Sequence, residues 1–285
     1  MIFPEIVLKT SIFIRFYKCT KQPITNRIQN VTYLRIYKQL TLLIFALTVV
    51  SCHQENHLTR IEGKRLEIND SLASVESIDS FIAPYRAKVN ENLDEVISYA
   101  MDTYSKRDGE LNTAIGNFMA DLVYEEGNPI FKSRTGKDID MVLLNHGGIR
   151  AIISKGPITQ RTAFEVMPFE NSIVVVELKG TFVNELVTYL EEAKRAHPIA
   201  GLKLTIGPDD KIKEATINGM AIDTSKIYNV ATNDYLYYGG DRMTFLAKAD
   251  SLHILDYKIR NAMIDHFNKY DTINPVKDDR FIKIN

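Results

Sequence analysis

The sequence has 285 residues, 45% hydrophobic and 25% charged, an ordinary globular mixture long enough to bury a core in one or two domains. Its formal charge of −1 hides an asymmetry: seven basic residues (Lys9, Arg15, Lys18, Lys21, Arg27, Arg35, Lys38) and one acid, Glu5, precede Cys52, leaving 28 basic and 35 acidic residues afterwards. A body this acidic excludes a nucleic-acid polymer as partner, because tracking a phosphate backbone rewards clustered Lys and Arg.

The first element is an apolar run, residues 40–50, behind Arg35 and Lys38. It is shorter than the about 20 residues a membrane span requires and fits the apolar part of a secretory signal. A buried helix ending in cysteine also accommodates these residues. The ending Val49-Val50-Ser51-Cys52 resembles a bacterial lipobox, which implies lipidation of Cys52 and a membrane-anchored protein of the cell envelope; His53 after the cysteine implies the outer membrane. Residues 1–52 are read as a leader, its first 33 or so being longer than a signal usually needs, through an unusual leader or a start codon set upstream of the true one. Cys19 falls inside this leader, so processing would leave Cys52 alone and no disulfide. Residues 53–77 are polar and mixed, a tether with a break at Asn69-Asp70-Ser71.

The folded domain is placed at residues 78–285. Helical spacing of Ile82, Val89, Leu93, Val96, Ile97 and Ala100 predicts a helix over 78–104, with Pro84 near its start. A second helix is predicted over 112–123, with Ile115, Phe118, Met119 and Leu122 on one face and Asn112-Thr113 as cap. A short buried strand follows at 140–144, then a helical turn from Ile158-Thr159 to Met167. The continuous β-branched run 172–178 reads as a central strand. Residues 182–196 form an amphipathic helix closed by His197-Pro198. Strands are expected at 202–206 and 212–217, with Asn218-Gly219 as a turn, then at 228–232. A last helix over 257–270 and a closing strand over 280–284 complete an α/β or α+β domain, a mixed sheet with flanking helices.

Several chemistries lack their signatures. The six histidines (His53, His57, His146, His197, His253, His266) show no spacing suited to zinc. Asn145-His146 superficially matches a metallophosphoesterase signature, but its flanks, Leu144 and Gly147, do not, and a two-metal site needs several more ligands. There is no nucleophile elbow and no phosphate loop of either common type.

Three clusters do carry chemistry. In Asn145-His146-Gly147-Gly148-Ile149-Arg150 a glycine pair at a strand exit permits close approach of a ligand to the backbone, and Arg150 offers a planar fork for phosphate or carboxylate. A tight turn with an exposed arginine reads from these residues as well. Pro168-Phe169-Glu170-Asn171 sets an aromatic at the mouth of the central strand. Thr232-Asn233-Asp234-Tyr235-Leu236-Tyr237-Tyr238-Gly239-Gly240-Asp241 sets aromatics, a glycine pair and a carboxylate at the exit of another. Together these residues suit a nucleotide pocket, in which stacking on a base is worth roughly 1–3 kcal/mol and an aspartate suits two ribose hydroxyls, whereas each cluster taken alone reads more readily as ordinary turn chemistry.

In order and spacing the clusters resemble the C-terminal, nucleotide-recognising domain of 5′-nucleotidases, with its N-x-G-G-(I/V)-R, P-F-x-N and T-N-x-(F/Y)-x-x-x-G-G-D segments. Gly116-Asn117-Phe118-Met119-Ala120-Asp121, Gly201-Leu202 and Arg280 resemble flanking elements of that domain. The resemblance implies a base held between Phe169 and Tyr235, bonded by Asn145, with Asn171 supporting the pocket, Asp241 on the ribose, Arg150 on the phosphate side, and Gly147 and Gly148 in the ligand loop. Two departures stand out. Gly109 to Asn117 lacks the arginine that many members place before the Gly-Asn pair. A tether also stands where family enzymes carry a metallophosphoesterase domain. The resemblance therefore implies a nucleotide-recognition subunit with no catalytic residue and no metal of its own, divalent ions being supplied by a separate metallophosphoesterase chain. The alternative is a surface-anchored nucleotide- or nucleoside-binding lipoprotein with no catalytic role.

Overall fold

In the computed structural model, which describes residues 24–50, 58, 60–69 and 72–284, the chain separates into two units, Met1–Leu72 and Ala73–Asn285. The first contains helix α1 (Ile24–Val50), whose side chains are exposed from Tyr33 to Ala46. Among the described residues no helix is long and apolar enough to cross a membrane. Cys52, the expected lipidation site, lies outside the described residues.

The second unit opens with α2 (Glu76–Leu93) and β1 (Val96–Ala100). The single helix expected over 78–104 is thus two elements. Its apolar positions do not share one buried face: α2 buries no residue, while Ser98 and Ala100 point inward from a strand. β1 is held by pairing, antiparallel to β3 (Gly156–Thr159) and parallel to β11 (Thr272–Ile273), partners that periodicity within one segment cannot reveal. Helix α3 (Ala114–Thr135) starts where the cap predicts: the Thr113 hydroxyl accepts from the Gly116 amide at 3.1 Å. It runs well past Val123, through Pro129, to a left-handed Gly136 whose amide reaches the Lys132 carbonyl.

Further along come β2 (Met141–Leu143), β3, α4 (Gln160–Val166), β4 (Ser172–Lys179) and α5 (Gly180–Ala193), then β5 (Ile199–Ala200), β6 (Leu202–Ile206), β7 (Ile212–Ile217) and β8 (Met220–Ala221). β9 (Ile227–Asn233), α6 (Asp234–Tyr237), β10 (Ser251–Lys258), α7 (Ile259–Lys269), β11 and β12 (Phe281–Lys283) close the chain. The last helix therefore begins after Tyr257, which belongs to β10. That strand is hard to read because His253 and the left-handed Asp256 interrupt its alternation.

The main sheet has the order β10-β4-β9-β2-β5, so β4 is interior as expected. A four-stranded sheet, β12-β6-β7-β8, and a three-stranded one, β11-β1-β3, flank it. Both faces of the main sheet are buried, and its residues alternate between two cores. Val142, Leu144, Ile173, Val175 and Ala231 pack with α3 and α7 residues such as Phe118, Met119, Met263 and Phe267. Met141, Leu143, Val176, Leu178 and Val230 pack with Val183, Leu186 and Leu190 of α5 and with β6. Two-sided burial is why residues 173–176 are apolar at every position, and each such side chain contributes roughly 1.5–3 kcal/mol.

Candidate functional site

Strand direction brings the three sequence clusters together. β2 and β9 are parallel neighbours, so Asn145 and Asp234 both leave from carboxyl ends at one end of the sheet. β4 runs antiparallel to β9, with Ile173 opposite Asn233, so the loop entering β4 arrives at the same end. The crevice outside the carboxyl ends of strands is where α/β sheets hold ligands.

A pocket of about 340 Å³ opens there, lined by Asn145, Gly147, Arg150, Phe169, Asn171, Tyr235 and Asp241. Seven of the eight expected contact residues share it. Gly148, the eighth, is buried under the Asn145 side chain, 3.1 Å from its Oδ1 to where a Cβ would stand, so it shapes the loop from below. Phe169 and Tyr235 keep 42% and 46% of their surface exposed, unusual for large aromatics and open to stacking. The Arg150 guanidinium lies 5.7 Å from the centre of the Phe169 ring and donates to the Gly147 carbonyl at 3.1 Å.

The local chemistry fixes each side chain. Asn145 is buried and accepts on Oδ1 from Asn233 Nδ2 at 3.3 Å. Asn233 in turn caps α6, accepting from the Leu236 amide at 2.8 Å. This wholly buried asparagine is absent from the expected contact residues, although its place in Thr-Asn-Asp before a helical turn is a cap signal. The Tyr235 ring lies against Gly240, where a Cβ would fall 2.4 Å from a ring carbon. Any side chain there would push the ring out of this position. Asp241 and Arg242 follow with φ of 50° and 63°, a backbone region costing non-glycine residues on the order of 1–3 kcal/mol.

Other supports come from far along the chain. Buried Arg260, on α7, donates to the Pro168 carbonyl at 3.1 Å, pairs with Glu170, and lies 4.1 Å from the centre of the Phe164 ring. Lys258 also pairs with Glu170. The two cations hold the Glu170 carboxyl down at about 2, so the clip behind Phe169 survives moderate acid. Lys106 donates to the Ile149 carbonyl at 2.6 Å and holds the ligand turn from behind; burial, then the nearby Arg150, lowers its pKa. No local spacing announces either residue.

On the other side of the turn, His197 is buried with Nδ1 3.3 Å from the Leu144 carbonyl, and burial depresses its pKa to about 4, leaving a neutral ring. His146 sits with Nδ1 3.1 Å from the Ala196 carbonyl, and burial lowers its pKa too.

The pocket lining offers one carboxylate, Asp241, and no imidazole. That donor set does not fit a two-metal centre, which needs several carboxylate and imidazole ligands. Elsewhere, Glu125, Glu126 and His266 bring potential ligand atoms within 4.8 Å of one another, a grouping invisible in sequence spacing. Lys269 already bridges both carboxylates there, which reads as an ion-pair cluster joining α3 to α7.

Comparison with known proteins decides the family. Residues 90–248, more than half the chain, match the model of the 5′-nucleotidase C-terminal domain. The chain belongs to that family. Among its relatives in this family is the Listeria monocytogenes cell wall protein Lmo0130, 28% identical over 218 residues, covering 62% of this chain and 28% of that protein. The Bacillus subtilis trifunctional nucleotide phosphoesterase protein YfkN is 29% identical over 195 residues, covering 61% of this chain and 13% of that one. The chain thus spans under a third of the length of these relatives. The fold resembles the crystal structure of a 5′-nucleotidase precursor from Thermus thermophilus, with a TM-score of 0.60 at 22% identity, over 73% of this chain and 43% of that one. The expected mixed α/β domain of the 5′-nucleotidase C-terminal type is the fold of this chain.

Proposed function

We propose that this 5′-nucleotidase C-terminal domain is the nucleotide-recognising unit of a phosphomonoester hydrolase whose divalent metal ions are supplied by a separate metallophosphoesterase chain. The base stacks between Phe169 and Tyr235, Asn145 bonds its ring edge through the free amide nitrogen, and Asn171 supports the pocket. Asp241 accepts from the ribose hydroxyls, and Arg150 faces the phosphate. The observation that carries this reading is the meeting of seven motif residues from three separate chain segments in one pocket. A relative named as a nucleotide phosphoesterase supports the ligand class, and one named as a cell wall protein supports an envelope location. Lipidation of Cys52 would provide the anchor, in the outer membrane.

The chemistry of this chain is positional. It orients the ester toward metals held elsewhere, and orientation of that kind contributes to rate without any bond-breaking group of its own. The test is release of phosphate from AMP by the purified chain alone, by a candidate metallophosphoesterase chain alone, and by both. Synergy supports the proposal. Robust metal-dependent hydrolysis by this chain alone refutes it, and tight AMP binding with no gain from any partner favours the anchored binding protein.

A further inference from the structure

A second cavity, of about 320 Å³, adjoins the pocket across Gly147 and Asp241, which line both. Its other walls are His146, Tyr189, Ala193, Arg195, His197 and Arg242. It is a built feature. The Tyr189 hydroxyl donates to the Asp241 carbonyl at 3.0 Å, and its ring meets the buried His197 edge-on at 5.7 Å. The Asp241-Arg242 backbone is held left-handed at its rim.

Charge distinguishes this end of the molecule. Most lysines and arginines of residues 73–284 are ion-paired, as Arg161, Lys248 and Arg280 are. Among the described residues of that range Lys106, Arg107, Arg150, Arg195 and Arg242 form no ion pair and belong to the ligand turn or to segments beside it; Lys155 and Lys277 are also without one but line neither cavity. Asp241 is the only acid lining either cavity. Three arginines against one carboxylate, in a protein otherwise acidic, leave cationic charge with no partner inside the fold. Two neutral imidazoles at the floor add no charge but offer polar ring atoms.

We propose that the second cavity is an anion subsite, in which Arg195 and Arg242 take a further phosphate of a nucleotide whose first phosphate faces Arg150. The inference rests on the nucleotide reading above and extends it to a ligand class: nucleotides with two phosphate groups. Gly147 is the passage between the cavities. A Cβ there would stand 3.4 Å from Asn145 Nδ2 and 3.9 Å from Asp241 Oδ2, so a larger side chain enters the boundary itself. The second phosphate comes either from a longer 5′ chain or from an ester on a ribose hydroxyl.

Calorimetry on the full-length protein tests this, with AMP, ADP, adenosine 3′,5′-bisphosphate and inorganic pyrophosphate as probes. ADP or the bisphosphate is expected to bind at least about tenfold tighter than AMP, with a steeper loss of affinity as salt rises. The tighter of the two identifies the source of the second phosphate. In the Arg195→Gln, Arg242→Gln double variant this gain collapses; the single Arg195→Gln variant, which leaves the left-handed turn untouched, shows a partial loss. Equal affinity for all three nucleotides, or a gain that survives the double substitution, overturns the subsite. Should the nucleotides all fail while pyrophosphate binds in an Arg195-dependent way, the subsite stands and the nucleotide reading falls. Failure of pyrophosphate along with the nucleotides removes both.

Discussion

The Tyr235 hydroxyl donates to Oδ1 of Asp241 at 3.0 Å and accepts from the Asp241 amide at 3.3 Å, so the aromatic wall and the carboxylate of the pocket are one unit. Removing the hydroxyl separates their roles. Tyr235→Phe retains the stacking face and frees Asp241, and nucleoside affinity is expected to fall only a few-fold. Tyr235→Ala loses the face as well, and with stacking worth about 1–3 kcal/mol per base the loss is expected to reach about 10- to 100-fold. Titration calorimetry with AMP reads both. Equal effects of the two variants would mean that the ring does not stack on the base.

Gly240→Ala attacks the same unit from beneath. The new methyl would lie 2.4–2.6 Å from three carbons of the Tyr235 ring, well inside contact distance. The ring, partly exposed, is expected to swing aside, with loss of ligand binding and a change in melting temperature of no more than a few degrees. If the variant bound AMP normally, the observed ring position would not be the binding one.

Arg260 links stability to the site. Its guanidinium is buried, and Arg260→Met removes the bonds to the Pro168 carbonyl and Glu170 while keeping much of the volume. Hydrogen bonds to charged groups are worth about 1.5–3 kcal/mol, so stability should drop by about that much. Each kcal/mol lowers the melting temperature of a domain this size by roughly 2–4 °C. Affinity for AMP is expected to fall together with stability, because the loop bearing Phe169 loses its clip. A lower melting temperature at unchanged affinity would confine Arg260 to a stabilising role.

Stability should decline in mild acid, and His197 accounts for part of the decline. Burial holds its folded-state pKa at about 4, below the ordinary 6.5 of the unfolded chain. Between those values the unfolded state binds more protons, so the contribution of His197 is complete above about pH 6.5 and is lost as pH falls toward 4. The amount is on the order of 3 kcal/mol. His146, shifted in the same direction, adds to the trend. Urea denaturation at pH 7.5, 5.5 and 4.5 should therefore give a shallower pH dependence for His197→Gln than for wild type. Parallel curves would show that the buried ring is protonated without penalty.

The amino-acid sequence alone determined the strands and the chemistry at their ends. Residues 172–178 and 228–232 are apolar enough to be two-sidedly buried strands, and strand ends are where Gly147, Phe169, Tyr235 and Asp241 had to lie. Local patterning carries that information because burial and turn geometry leave their marks within a few residues. It failed where neighbours distant in sequence decide the outcome. Val96 to Ala100 became a strand because β3 and β11 were there to pair with it. Helix α3 continued through Gly127 and Pro129, against their intrinsic preference, because its later turns are packed into the core, with Gly127 buried and Phe131 wholly buried. Arg260 and Glu170, 90 residues apart, meet only because α7 crosses behind the loop into β4. The second, cationic cavity likewise exists only once α5 and the turn at Asp241 are folded against the ligand loop. A motif names the atoms that touch a ligand; the groups that hold those atoms still come from topology, since packing in three dimensions is indifferent to chain separation.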